Sequence, residues 1–408
     1  MQTIAVLGTF DTKGVEHRFL ADQILQRGHQ ALLIDVGGQG APQIEAHVSR
    51  EEVASSAGMD LATLRAQNDR GVMVEAMAKA APVMLTKLAA EGRIQGVISL
   101  GGTGGTAIGT AAMRALPLGF PKVMVSTVAA GNVAPYLGVK DIVMFPSIVD
   151  VAGLNRFSRA VFARAASTVC ALAEANATMP KETEAKPLIV ASMFGNTTEC
   201  VEHARKRLEA AGYEVLVFHA TGTGGRTMES LIESGLVAGV LDITTTEWAD
   251  ELVGGVLAAG PTRLEAAARH GIPAIVTPGC LDMVNFGPPD SVPAKHAGRT
   301  FYPHNPQVTL MRTTPAECAE LGRILAEKVN LSTGAVTVLL PKRAISIISA
   351  EGKPFHDPAA DTALFDAIKA HLRKDIPLIE LDAAINDPAF AEACVHSLLQ
   401  HLSIPSTR

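Results

Sequence analysis

The chain repeats itself. Ile4-Ala-Val-Leu-Gly8, a turn, Val15-Glu-His17, a helical stretch and Arg27-Gly-His-Gln-Ala-Leu-Leu-Ile-Asp35 form one run of motifs. The same order returns as Leu188-Ile-Val-Ala-Ser192, a turn, Val201-Glu-His203, a helical stretch and Ala211-Gly-Tyr-Glu-Val-Leu-Val-Phe-His219. The parallel continues: Gln95–Leu100 with Ala238–Ile243, Pro121–Thr127 with Ile272–Thr277, and Asp141–Phe145 with Val308–Met311. A duplication of this length leaves few folds open, because each copy must close its own core. Short, continuously apolar strands alternating with helical stretches suit a parallel sheet covered on both faces. Right-handed crossovers then give a doubly wound sheet. The expected fold is α/β: two duplicated Rossmann-like doubly wound parallel-sheet lobes with a cleft between them.

The break falls in the polar, charged, proline-flanked segment Asn176–Pro187, which reads as a linker. The lobes are therefore expected at residues 1–178, a nucleotide-binding lobe, and 187–408. The second carries an extension, 336–408, read as strands at Val336–Leu340 and Ile345–Ser349, a helix Pro358–Leu372 and a strand Pro377–Leu381. With 48% hydrophobic residues but only 4% aromatics, both cores must be aliphatic.

Charge and cysteines narrow the functional classes. A net charge of −6 and the absence of long basic runs argue against general nucleic-acid binding, which depends on neutralising phosphates. Five scattered cysteines form no CxxC pair and read as free thiols. No stretch reaches the ~18 apolar residues of a membrane span. Met1 leads directly into a strand at Thr3–Leu7 with no signal-type segment, so a cytoplasmic location is expected.

Chemistry concentrates at strand ends. Val97-Ile-Ser-Leu is followed by Gly101, Gly102, Thr103, Gly104, Gly105 and Thr106, a loop of backbone and hydroxyls ahead of a helix expected over Ala107–Leu116. Such a turn lets peptide N–H groups and a helix N-terminus meet an anion. The first strand ends in Gly8-Thr-Phe-Asp-Thr-Lys-Gly14: Thr9 and Thr12 offer hydroxyls, Lys13 a positive charge, and Asp11 a carboxylate for Mg²⁺ or a ribose hydroxyl. The second ends in Asp35-Val-Gly37-Gly38, where Asp35 reads equally as a ribose ligand or as the cap of the glycine turn. Ser126, Thr127 and Gly131 follow the fourth strand and leave room for a base or ribose. Neither the Walker A spacing nor GxGxxG is present, which disfavours an NAD-dependent oxidoreductase.

The second lobe is furnished differently. Its first turn holds Asn196 and Thr197 without the Asp and Lys. A glycine-rich loop follows the second strand: Thr221, Gly222, Thr223, Gly224, Gly225 and Arg226, the arginine suited to bidentate contact with a carboxylate or phosphate. Glu247 and Asp250 follow the third strand, and the polar loop 287–305 carries His296, Arg299 and His304. Glu247, His296, Arg299 and His304 are the catalytic candidates, with a solvated surface loop as the plain alternative for the last three. No histidine spacing suggests zinc. Cys280 reads as a buried thiol before it reads as a nucleophile.

GTFDTKG, ISLGGTGGT, STVAAGN and the late Ile385-Asn-Asp-Pro-Ala-Phe390 together resemble an uncharacterised bacterial family related to the N-terminal domain of the tomato tobamovirus-resistance protein. The resemblance spans the chain and implies two Rossmann-like subdomains, ATP binding and self-association into dimers or larger homo-oligomers. It places the nucleotide at Thr9, Asp11, Thr12, Lys13, Gly101–Thr106 and Ser126–Gly131. The expectation is an ATP- and Mg²⁺-binding protein, either an enzyme of phosphoryl-transfer or ligase type acting on a small anionic substrate, or an ATP-regulated module that binds a protein partner. Neither nucleic acid nor membrane is expected as a partner.

Overall fold

The computed structural model describes residues 1–179 and 186–403. The chain divides into two compact units, Met1–Glu182 and Thr183–Arg408. In the first, strands β1 (Thr3–Gly8), β2 (Gln30–Asp35), β3 (Gly96–Gly101), β4 (Lys122–Ser126) and β5 (Val143–Pro146) form one sheet in the order β2-β1-β3-β4-β5. Every pairing is parallel. β1 is apolar at every core position because its two faces are both covered. Ala5 and Leu7 join the layer of Met77, Leu85 and Leu88, whereas Ile4 and Val6 join that of Leu20, Ile24, Phe162 and Val169. Each such buried aliphatic side chain contributes about 1.5–3 kcal/mol through the hydrophobic effect.

The second unit contains β6 (Leu188–Met193), β7 (Glu214–His219), β8 (Val237–Thr244), β9 (Ala274–Gly279), β10 (Met283–Phe286), β11 (Phe301–Asn305), β12 (Val308–Arg312), β13 (Val336–Pro341) and β14 (Leu378–Leu381). Six of these make a parallel sheet ordered β14-β13-β9-β8-β6-β7. From its other edge this is the first unit's order with one strand added. The duplication is therefore real at the level of topology.

Three expectations change. Val308–Arg312 is not the counterpart of β5. It pairs antiparallel with β10 and β11 in a separate three-stranded sheet, and the fifth parallel strand is β13. Ile345–Ser349 is not a strand, since Ile347–Ser349 forms a 3-10 turn capped by Ser346. The start of the expected linker is helical, because the helix Arg156–Thr178 runs through it. Its remainder, from residue 180 to 185, lies outside the described residues.

Candidate functional site

The order β2-β1-β3 reverses direction at β1, so the crossovers leave on opposite faces and open a crevice beyond the carboxyl ends of β1 and β3. A cleft of about 370 Å³ lies there, lined by residues that follow β1, β2 and β3. The turn after β1 is tighter than expected, for the helix Phe10–Leu25 begins at once and takes Asp11 and Thr12 into its first turn. Lys13 leaves helical geometry at φ −132°, ψ 26°, and its carbonyl contacts His17 Nδ1 at 2.7 Å. Lys13 lines the cleft, is half-buried, and makes no ion pair among the described residues.

The glycine-rich segment after β3 is also more helical than expected. Gly102 caps a helix that starts at Thr103 and runs to Arg114. Thr106 N–H makes the first return bond, to Gly102 O at 2.8 Å. The amides of Thr103, Gly104 and Gly105 precede it and have no partner within the helix. Gly101, Gly102, Gly104 and Gly105 line the cleft, and Thr103 is exposed beside it. Arg70, at the start of the helix Arg70–Ala90, lines the same space. Its Nη2 lies 4.0 Å from where a Cβ on Gly104 would sit.

The carboxylates divide the remaining work. Asp11 Oδ2 accepts from Gln39 N at 2.9 Å and Gly40 N at 3.3 Å, while Asp11 Oδ1 is shielded from solvent and unpartnered. A Cβ on Gly37 would stand 2.7 Å from that oxygen, so the turn needs glycine there. Asp35 takes the capping role. Its Oδ1 accepts from Phe10 N at 3.0 Å and Gly37 N at 2.8 Å, it is buried, and burial raises its pKa. Gly37 is buried with it, whereas Gly38 lines the cleft.

Thr106 and Ser126 are placed differently from the expectation. Both are fully buried, and their hydroxyls bond each other at 2.6 Å behind the glycine turn. Thr127 and Gly131 are exposed and outside the cleft lining. Sequence reasoning missed Arg70, Asp150 and Gln39, together with the apolar wall of Val36, Met73 and Ile108. Asp69 ahead of Arg70 was a readable signal, since it caps the helix through Gly71 and Val72 N–H. Among the described residues no group of three or more His, Cys, Asp or Glu side chains is placed to hold a metal ion. Asp11 and Asp150 alone suit Mg²⁺ only when phosphates complete its shell.

In the second lobe the glycine turn follows β7, the counterpart of β2, and its amides are taken by a carboxylate. Glu247 Oε1 accepts from Gly222 N at 2.7 Å and Gly225 N at 3.0 Å. A Cβ on Gly225 would fall 2.1 Å from Glu247 Oε2, so glycine is required for the carboxylate to seat. Arg263, 1% exposed, donates Nε to Glu247 at 2.7 Å, two bonds of 2.6 Å to Asp242, and one of 3.1 Å to Glu229. Burial pushes the Glu229 carboxyl up, and its carboxylate neighbours hold the Arg263 guanidinium charged against desolvation.

Asn196 and Thr197 are buried: Thr197 Oγ1 meets Thr244 Oγ1 at 2.7 Å, and Asn386 Nδ2 donates to Asn196 O at 2.9 Å. Phe194 stacks on His219 with ring centroids 5.2 Å apart and packs against the buried cluster of Cys280, Met283, Leu310, Ile348 and Phe355. Thr221, Thr223 and Gly224 ring the glycine turn, and Arg226 is exposed, its Nη2 donating to Thr223 Oγ1 at 3.3 Å.

The catalytic candidates are not drawn into one constellation. Glu247 belongs to the Arg263 network. Arg299 is held bidentate by Glu317 at 3.1 and 2.6 Å. His296 is buried against Phe286 with Nε2 unpartnered, and burial lowers its pKa. His304 is exposed on β11. Cys280 is buried, with its thiol pushed well up by desolvation. Asp250 accepts from Asn285 N and Nδ2, and burial raises it to about 7. No helix among the described residues is long and apolar enough to cross a membrane.

Fold and cleft together define a duplicated doubly wound α/β protein with an open cleft at the strand ends of its first lobe. The chain belongs to the uncharacterised protein family UPF0261, whose N-terminal domain matches residues 2–178 and whose C-terminal domain matches 186–402. A UPF0261 protein of Clostridium tetani is 47% identical over 397 residues, covering 97% of this chain and 98% of that protein. One of Rhizobium meliloti is 49% identical with the same coverage. The tomato ToMV resistance protein Tm-1(GCR237) is 38% identical over 97% of this chain, which spans 55% of that protein's length. Among solved structures, the S. aureus MnaA-UDP complex covers 93% of this chain and 100% of that chain at 11% identity, with a TM-score of 0.22, too slight to bear on function.

Proposed function

We propose that the first lobe binds ATP, with the phosphate tail in the crevice beyond β1 and β3. The observation that carries the reading is a half-buried Lys13 without a counter-ion beside the free amides of Thr103, Gly104 and Gly105. A polyphosphate supplies the missing charge and acceptors at once. Mg²⁺ enters with the phosphates, held on the protein side by Asp11 and Asp150. The tomato relative's name concerns resistance to a tobamovirus, and no viral partner is carried to this chain.

An enzyme acting on a small anion remains the less supported extension. Its sequence argument was a second anion loop at 221–227, and Glu247 fills the amides of that loop. An ATP-regulated binding protein, self-associating through surfaces outside the crevice, fits the furnishing of the lobes better. Calorimetry with ATP and Mg²⁺ tests the reading. The wild-type protein is expected to bind, and Lys13→Ala and Gly102→Val to weaken binding by about tenfold or more. Unchanged affinity in both variants removes the assignment.

A further inference from the structure

We infer that Arg70 makes the first-lobe crevice sensitive to phosphate-chain length, favouring a triphosphate over a monophosphate; the inference rests on the nucleotide reading above. Three arginines approach this rim, and two are committed to protein. Arg50 donates Nη1 to Gly40 O at 2.6 Å, and Arg65 donates Nε to Gly38 O at 3.1 Å. Both clamp the glycine turn after β2 from behind. Arg70 makes neither an ion pair nor a hydrogen bond among the described residues. Its neighbouring acid, Asp69, caps the helix instead, Oδ1 accepting from Gly71 N at 2.7 Å and Val72 N at 3.2 Å, and makes no ion pair with it among the described residues.

Position gives the free guanidinium its role. Lys13 is half-buried near the strand ends, whereas Arg70 is exposed at the outer edge, level with Gly104. Phosphates seated against Lys13 and the helix amides are shared by every nucleotide. Only a longer chain extends to the rim, where a planar guanidinium can take two phosphate oxygens at once. Val74, one turn further along the same helix, packs toward Gly104 and holds that wall against the glycine turn.

The test titrates the full-length protein with ATP, ADP, AMP and adenosine in the presence of Mg²⁺, for wild type, Arg70→Ala and Arg70→Lys. The wild-type protein is expected to prefer ATP to AMP by about tenfold or more. In Arg70→Ala the ATP affinity falls by about tenfold while that for AMP is retained, which also reports that the crevice is intact. Arg70→Lys restores part of the preference. An Arg70→Ala protein that keeps the wild-type ATP-to-AMP ratio overturns the inference and leaves the nucleotide reading standing. A wild-type protein that binds none of the four overturns both.

Discussion

Each lobe folds a glycine turn after its second strand, and in each a carboxylate of the same lobe accepts that turn's amides. What is left over differs. In the first lobe Asp11 takes Gln39 and Gly40 N–H, and Lys13, Arg70 and the Thr103–Gly105 amides remain turned to an open crevice. In the second, Glu247 takes Gly222 and Gly225 N–H, Arg263 takes Glu247, and Phe194 stacks on His219. In one copy Lys13 and Arg70 make no ion pair among the described residues, which is what the proposed site draws on. The other spends the same kinds of groups on its own stability. Groups that serve binding are seldom optimal for stability.

Breaking the second lobe's network should have the largest effect. Arg263→Met leaves Asp242, Glu247 and Glu229 buried without their cation, and about 3–5 kcal/mol of stability is expected to be lost in chemical denaturation. Loss of less than 1 kcal/mol would mean that the network is not what holds this lobe.

pH should then separate the lobes between pH 7 and 5, by about 2 kcal/mol of loss in the first and about 3–4 kcal/mol of gain in the second. Burial holds His17 down to about 4 despite the opposing pull of the Lys13 carbonyl and Glu16, so its contribution is present above about 6.5 and is lost as pH falls toward 4. Burial holds Asp250 up at about 7 and Asp282 up at about 6, so their contributions are full below about 4 and disappear as pH rises through those values. Acidification from pH 7 to 5 therefore loosens the first lobe through His17 and tightens the second through Asp250 and Asp282. Hydrogen exchange read separately on β1 and β8 should show opposite slopes. Asp250→Asn should flatten the second and His17→Leu the first.

Glu247→Ala should cost about 1–3 kcal/mol by stranding two amides, less than Arg263→Met because it also removes one of three buried acids. Added acetate should restore part of the loss, measured as a rise in Tm, by re-occupying an emptied anion position. Lys13→Ala, in contrast, should change stability by no more than about 0.5 kcal/mol, because no protein partner is lost. A large destabilisation there would make Lys13 a structural residue and erase the contrast.

Much of the architecture was readable because parallel strands covered on both faces are continuously apolar, and the repeat set their order. The correspondence failed after the fourth strand, where lobe two inserts β10–β12. The apolar pattern of Val308–Met311 does not reveal whether a strand's partners are parallel or antiparallel. Gly101–Thr106 reads in the sequence as a loop, but the chain has already entered a helix at Thr103. Glu247 drew notice as an acid, not as the internal occupant of a turn more than twenty residues away, which is a tertiary fact. Arg70 was missed because an exposed arginine at a helix start resembles any solvated one, and only the commitments of Arg50 and Arg65 set it apart.

The most direct measurement is a crystal structure of the full chain with a non-hydrolysable ATP analogue and Mg²⁺. The account predicts the phosphate tail against Lys13 and the amides of Thr103–Gly105, with Gly222 and Gly225 still bonded to Glu247. Nucleotide seated at 221–227 with Glu247 displaced, or a first-lobe crevice left empty at saturating analogue, would contradict it.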